Sequence, residues 1–220
     1  MKPDIHNSSF KTRSEAELVD AALEKGLPFG EGIAVVLREP KMPTGFPDIV
    51  AVFADANADS FTVNRRKLTQ QHFRLLYHLH NSGRSKMDDV AKLLLLPRKH
   101  VAELVDDLLN ADLISTRGSF VTARPLGKIF AARHIIAVEA KIKNWRKALQ
   151  QAVANLWFAS HSYILLPPLR TLNRVVKEAK KFGVGVLVFD GKKTKMVFRP
   201  KRQQIPISYG SWLISEWALF

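Results

Sequence analysis

The chain contains no cysteine. That excludes a disulfide framework, thiolate metal sites and cysteine nucleophiles. It has no run of about 18 apolar residues, so no membrane-spanning helix and no membrane partner are expected. Met1 to Phe10 is polar and lacks an apolar core segment. No secretory signal is read there, and the expected location is cytoplasmic. Acidic residues are scarce: 20 Asp and Glu stand against 34 Lys and Arg, a net charge of +14. The composition is otherwise that of a globular protein, with 46% hydrophobic and 25% charged residues. Disordered, collagen-like and low-complexity chains are thereby excluded. A length of 220 residues suits one large domain or two small ones.

The few acids are unevenly placed. Residues 1–59 hold ten acids and six bases, residues 60–133 six and thirteen, and residues 141–202 two and fifteen. A basic half beside an acidic half points to a polyanion partner, nucleic acid in the first place. Solvated charge serving solubility is the competing explanation.

Residues 1–12 read as a loose tail. Ser14-Glu15-Ala16-Glu17 is a capping box, and Leu18, Ala21 and Ala22 follow at helical spacing until Gly26 and Pro28. Gly32–Arg38 and Asp48–Phe53 read as strands around a Pro40, Pro43, Gly45 turn, and Asp55–Ser60 as a polar break. The rhythm then changes. A helix is expected over Thr69–His80. A second opens at a Ser85-Lys86-Met87-Asp88 capping box, and a third starts at Pro97 with Val101, Leu104, Val105 and Leu108 on its apolar side. Leu113–Thr116 and Phe120–Ala123 form a hairpin through Arg117-Gly118-Ser119. Beyond residue 133 the pattern is a strand over Ile135–Ile142 and a helix capped by Asn144. A strand over Tyr163–Leu166, a basic helix over Leu169–Phe182, and strands over Gly183–Phe189 and Thr194–Phe198 follow. Tyr209, Trp212, Leu213, Glu216, Trp217 and Phe220 recur at helical spacing. The expected division is a discontinuous α/β domain of residues 13–60 and 134–220, with residues 61–133 inserted.

Three helices and a hairpin over residues 66–125 resemble a winged helix-turn-helix domain. That resemblance implies a recognition helix with Arg98, Lys99 and His100 in its first turn, reaching base edges or phosphates. Arg117 at the wing tip and Arg124 at its base would meet the backbone or minor groove. Asp106, Asp107 and Asp112 make the far end acidic, which also suits a protein-binding winged helix.

Two separated signals carry chemistry. Pro47-Asp48 begins one strand, and Glu139-Ala140-Lys141 lies near the end of another. Alternate strand residues share a face, so Glu139 and Lys141 point together, while Ile136, Val138, Ala140 and Ile142 form the opposite, apolar face. Ionic groups on such a strand are costly unless paired, metal-bound or at the rim. If the strands are neighbours, Asp48 stands beside Glu139, and a divalent cation resolves the repulsion. Hard oxygen ligands suit Mg²⁺.

Pro-Asp followed by Glu-x-Lys resembles the PD-(D/E)xK nuclease superfamily. The helix, three strands, helix, strand order left after the insert is removed is similar to that family's αβββαβ core. The resemblance implies a restriction-endonuclease-like α/β fold with the winged helix inserted between the second and third core strands. It implies a metal-dependent deoxyribonuclease in which Asp48 and Glu139, with the Ala140 carbonyl, bind Mg²⁺, Mn²⁺ being a substitute. Lys141 would activate water or offset charge on the phosphorane, and Glu17 would be an accessory acid, although it is also accounted for as the capping-box acid. Some members carry Gln and an aromatic residue four positions later on the following helix; here Gln151 is followed by Asn155. Arg170, Arg174, Lys177 and Lys181 would share a helix face along DNA phosphates. The seven histidines show no metal-ligand spacing. The alternative is a non-catalytic DNA-binding regulator or accessory subunit on an inactive nuclease fold. A partner in a defence, repair or transposition complex is a third reading. Cutting two strands with one site per chain usually takes two copies, so a homodimer is compatible with the nuclease reading.

Overall fold

The structure is a computed structural model that describes residues 14–42, 45–54, 63–201 and 203–219. The expected tail, the Asp55–Ser60 break, Pro43 and Phe220 lie outside the described residues. Among those described, the chain is mixed α/β, with eight α-helices, a mixed six-stranded sheet and a separate three-stranded sheet. It divides into two compact units. One comprises residues 1–53 and 134–206, the other residues 54–133 and 207–220.

The first unit is built on the six-stranded sheet. Its strands are β1 (Val35–Arg38), β2 (Ile49–Ala54), β6 (Ala132–Ala140), β7 (His161–Leu166), β8 (Gly185–Phe189) and β9 (Thr194–Phe198), in that spatial order. β1 pairs antiparallel with β2, β6–β7–β8 are parallel, and β9 returns antiparallel to β8. Burial follows position in the sheet. All five residues of β8 are buried, as are Ile49–Val52 of β2, whereas the edge strands β1 and β9 alternate. Interior strands covered on both faces need continuous apolar runs, and edge strands do not.

Three helices supply the cover. α1 (Glu15–Glu24) starts where the Ser14 hydroxyl accepts the Glu17 N–H at 3.1 Å, and Leu18, Val19 and Ala22 are its buried residues. They cluster with Ile49, Ala51, Ile136, Val138 and Ala140. α6 (Trp145–Asn155) and α7 (Leu172–Lys181) make the parallel crossovers, and Ala148, Ala152, Val175 and Ala179 cluster with Ile164 and Val186. The expected alternation of β6 is therefore realised, with Ile136, Val138 and Ala140 in the α1 cluster.

In the second unit α2 (Gln70–Ser82), α3 (Met87–Leu94) and α4 (Arg98–Asn110) precede a hairpin of β4 (Ile114–Arg117) and β5 (Phe120–Ala123), followed by the short α5 (Leu126–Ile129). Two details differ from the sequence expectation. Ser85 and Lys86 form a two-residue strand, β3, pairing with Val121 and Phe120, so the hairpin is part of a three-stranded sheet. Lys86 then stands at the N-cap of α3 without a side-chain cap, so no capping box forms at Ser85: its backbone is committed to a ladder. The last helix, α8 (Tyr209–Trp217), was expected with the six-stranded sheet but belongs to this unit. Trp212 is fully buried, its ring 5.0 Å from that of Phe130, and Leu213 joins the same cluster as Leu76, Leu104 and Leu108. The helical stripe of aromatics therefore supplies core to the second unit. The pair of Arg65, in a 3₁₀ turn (Val63–Lys67), and Glu216 of α8 is also buried. Arg65 donates through Nε to one Glu216 carboxylate oxygen at 3.1 Å, and its Nη2 donates both to the Ile129 carbonyl at 2.7 Å and to the other Glu216 oxygen.

Candidate active site

β2 and β6 are adjacent in the sheet although nearly eighty residues separate them in sequence. Asp48 sits just before β2, and Glu139 is the penultimate residue of β6. The Asp48 carboxylate accepts the backbone N–H of Ala140 at 2.6 Å. Lys141 lies one residue past the strand and continues the ladder, donating its N–H to the Leu165 carbonyl at 3.1 Å. Its ammonium is 3.9 Å from Asp48 and 2.9 Å from the Ala140 carbonyl. Three of the sequence-predicted residues and the Ala140 backbone thus meet at one end of two interior strands.

Glu139 and Lys141 are both buried, at 2% and 8% exposure. An edge-strand surface ion pair is therefore not the explanation for them: β6 lies between β2 and β7. One Glu139 oxygen accepts the Asn155 side-chain N–H at 2.7 Å. Its other oxygen is buried with no hydrogen-bond partner among the described residues. Burial is the chief reason the Glu139 carboxyl is pushed up to about 7. The Asp48 and Glu15 charges push the same way, and Asn155 and Lys141 pull against them. Asp48 is also raised above its ordinary range, first by burial, with Glu15 and Glu39 adding to it and the Ala140 N–H and Lys141 opposing it. The cluster carries more carboxylate than its single ammonium offsets.

Glu17 supplies its backbone N–H to the Ser14 cap at the start of α1, and a second acid of the same helix turn reaches the cluster. That acid is Glu15, whose carboxylate lies 2.9 Å from the Lys141 ammonium. Two residues along a helix is a rotation of about 200°, so Glu15 and Glu17 leave the helix in different directions. Glu15 lies three and four residues before the buried Leu18 and Val19, on the stripe that meets the sheet. Sequence reasoning missed it because the capping box drew attention to the third helical position. Asn155 was missed as well. It follows the partly buried Gln151 by four residues on α6, and that spacing was the available signal. Among the described residues, no group of three or more His, Asp or Glu side chains is arranged to hold a metal ion.

The expected DNA contacts fall in both units. In the second, Arg98 and Lys99 are exposed in the first turn of α4, with Arg98 paired to Asp88 at 3.0 Å. His100 contacts Gln71 at 2.7 Å and Glu103 at 3.3 Å. Arg117 is exposed at the hairpin tip, and Arg124 pairs with Asp112. Arg84, not singled out from the sequence, lies 3.8 Å over the Phe120 ring beside this hairpin. In the first unit Arg174, Lys177 and Lys181 are exposed on α7. Arg170 does not share their face, because it sits in the turn before the helix; Pro167 and Pro168 delay the helix start to Leu172. Comparison of the chain with protein-family models, with curated proteins and with solved structures finds no match.

Proposed function

We propose that this protein is a metal-dependent DNA endonuclease of the PD-(D/E)xK type, hydrolysing phosphodiester bonds. The observation that carries the reading is the meeting of Asp48, Glu139 and Lys141 at the ends of two adjacent interior strands. The element order α1, β1, β2, β6, α6, β7 supports it, being the helix, three strands, helix, strand expected of a restriction-endonuclease-like core. Three helices followed by a small antiparallel sheet support the inserted winged helix as a DNA reader, with α4 as its recognition helix.

The donor set fits a hard divalent cation. Glu139 has a buried oxygen without a partner, Asp48 and Glu139 are both raised, and the excess carboxylate charge calls for a cation. Asp48 and Glu139 would hold Mg²⁺ or Mn²⁺, with the Ala140 carbonyl as a third oxygen. When bound, such an ion supplies Lewis acidity and lowers the pKa of a coordinated water. The chain's own groups do the rest. Asn155 orients the Glu139 carboxylate, and the Ala140 N–H orients that of Asp48. Lys141, steered by Glu15, holds a fixed positive charge where negative charge grows on the phosphorane.

A second reading, a DNA-binding regulator on an inactive nuclease fold, is favoured by the lack of a three-residue metal cluster among the described residues. Incubation of supercoiled plasmid with the protein and Mg²⁺ or Mn²⁺ separates the two. Nicking that EDTA abolishes supports the nuclease. Salt-dependent binding with no cleavage of duplex, junction or single-stranded DNA supports the regulator.

A further inference from the structure

A groove of about 530 Å³ runs between α6 and α7 in the first unit. Trp145, Leu149 and Val153 line it from α6, and Arg174, Glu178 and Phe182 from the α7 side, with Arg146 beside Trp145. Each wall repeats every four residues over eight positions, which makes the groove about 12 Å long. Its character is mixed in a particular way. Phe182 is half exposed, and the Arg146 guanidinium stacks 4.7 Å from the Trp145 ring. Leu149 and Val153 leave an apolar floor. Two aromatic rings, two guanidinium groups and one carboxylate, that of Glu178, therefore line one channel.

The surrounding charge is predominantly positive. Residues 141–202 contain only two acids, Glu178 and Asp190. Both are already engaged: Glu178 with Lys181 at 2.9 Å, and Asp190 with Lys195 at 2.7 Å. Arg174 and Lys177 also act on Glu178, yet with Arg146 and Lys181 the bases around the groove outnumber this one acid, and the excess suits a partner of opposite charge. An anionic partner that also offers flat rings for stacking is a nucleic-acid strand with unpaired bases; an acidic peptide offers charge without that regular stack. Aromatic platforms flanked by basic side chains are how single strands are held without sequence preference. Paired bases in a duplex have their faces covered and cannot use the rings.

We propose that the α6–α7 groove binds an unpaired DNA strand, its bases stacked on Trp145 and Phe182 and its phosphates against Arg146 and Arg174. Trp145 opens α6, the same helix whose Asn155 holds the Glu139 carboxylate of the candidate active site. This deepens the nuclease reading, on which it rests for DNA as the partner. It makes substrates with a single-stranded part the favoured class.

The test uses the full chain and a fluorescent oligo(dT) of about fifteen nucleotides. Trp145→Ala and Phe182→Ala should each weaken oligo(dT) binding about tenfold, while binding of a blunt duplex changes less than threefold. Trp145→Phe should restore most of the loss, which a folding defect would not allow. Replacing Arg146 and Arg174 together with Gln should lower the slope of log affinity against log salt by about 1.4. An oligonucleotide carrying 5-iododeoxyuridine should photocrosslink to Trp145 or Phe182. Asp48→Asn should keep all of this binding while losing cleavage, so a failed nuclease reading and a failed groove give different results. Oligo(dT) that does not bind, that binds the alanine variants as tightly as wild type, or that is displaced by an equal concentration of poly-glutamate overturns the proposal.

Discussion

The backbone N–H of Ala140 donates to the Asp48 carboxylate at 2.6 Å, bridging ninety-two residues of chain. That bond joins the start of β2 to the end of β6 and sets Asp48 beside the Glu139-Ala140-Lys141 run. It places a half-buried carboxylate against a buried one, with Lys141 as the nearby ammonium. Glu15 then closes on Lys141 from α1.

Glu15 and Glu17 should separate in a cleavage assay. Glu15→Gln removes the partner that steers Lys141, and the rate of plasmid nicking should fall about tenfold, as for other outer-shell partners of a metal site. Glu17→Gln should leave the rate within about twofold. Equal losses for both, measured under the same conditions, would extend the accessory role to Glu17.

Glu139 makes stability depend on pH. Its carboxyl is raised from 4.5 to about 7 in the folded protein. Between these values the unfolded chain has released a proton that the folded chain still holds, so rising pH favours unfolding. The resulting loss is about 3 kcal/mol, complete above pH 7. Urea midpoints of the metal-free protein should therefore fall from pH 5 to pH 8 more steeply in wild type than in Glu139→Gln. Adding Mg²⁺ at pH 8 should narrow the difference. A wild-type profile no steeper than that of the variant contradicts this account.

The Arg65–Glu216 pair predicts a non-additive result. Arg65→Met strands a buried carboxylate that burial already raises. The expected cost is about 3–5 kcal/mol. Arg65→Met combined with Glu216→Leu replaces charge by apolar bulk and should recover more than half of it. Denaturant titration of Arg65→Met, Glu216→Leu and the double variant measures the coupling.

Gly185 is fixed by its neighbours. A Cβ there would lie 2.2 Å from the Tyr163 ring and 2.9 Å from Pro200. Gly185→Ala must shift a buried ring and should cost about 1–3 kcal/mol. Adding Tyr163→Leu should relieve part of that in the same unfolding measurement.

Much of the sheet was legible because interior strands are written as apolar runs. Val186–Phe189 and Ile49–Phe53 are such runs, whereas the shared face expected for Glu139 and Lys141 could not account for their partners. Lys141 lies past the strand and reaches Glu15 of α1, and Glu139 reaches Asn155 of α6. What was not legible had no local pattern. Arg65 and Glu216 are 151 residues apart, and nothing near either announces the other. The strand Ser85–Lys86 is two residues long, below any periodicity, and its serine mimicked a helix cap. The spacing of Tyr209, Trp212, Leu213 and Trp217 revealed a helix but not which core it completes. Asn155 stands in the sequence only where the resemblance asks for an aromatic residue, and its bond to Glu139 depends on β6 lying against α6.

The rate of Mg²⁺-dependent nicking of supercoiled plasmid, compared between wild type, Asp48→Asn and Lys141→Ala, goes straight to the chemistry. Circular dichroism and urea midpoints establish that all three are folded. Cleavage by wild type, and a loss of about a hundredfold or more in each variant, is the expected result. Nicking that continues at the wild-type rate in either folded variant would falsify the assignment of hydrolysis to this cluster.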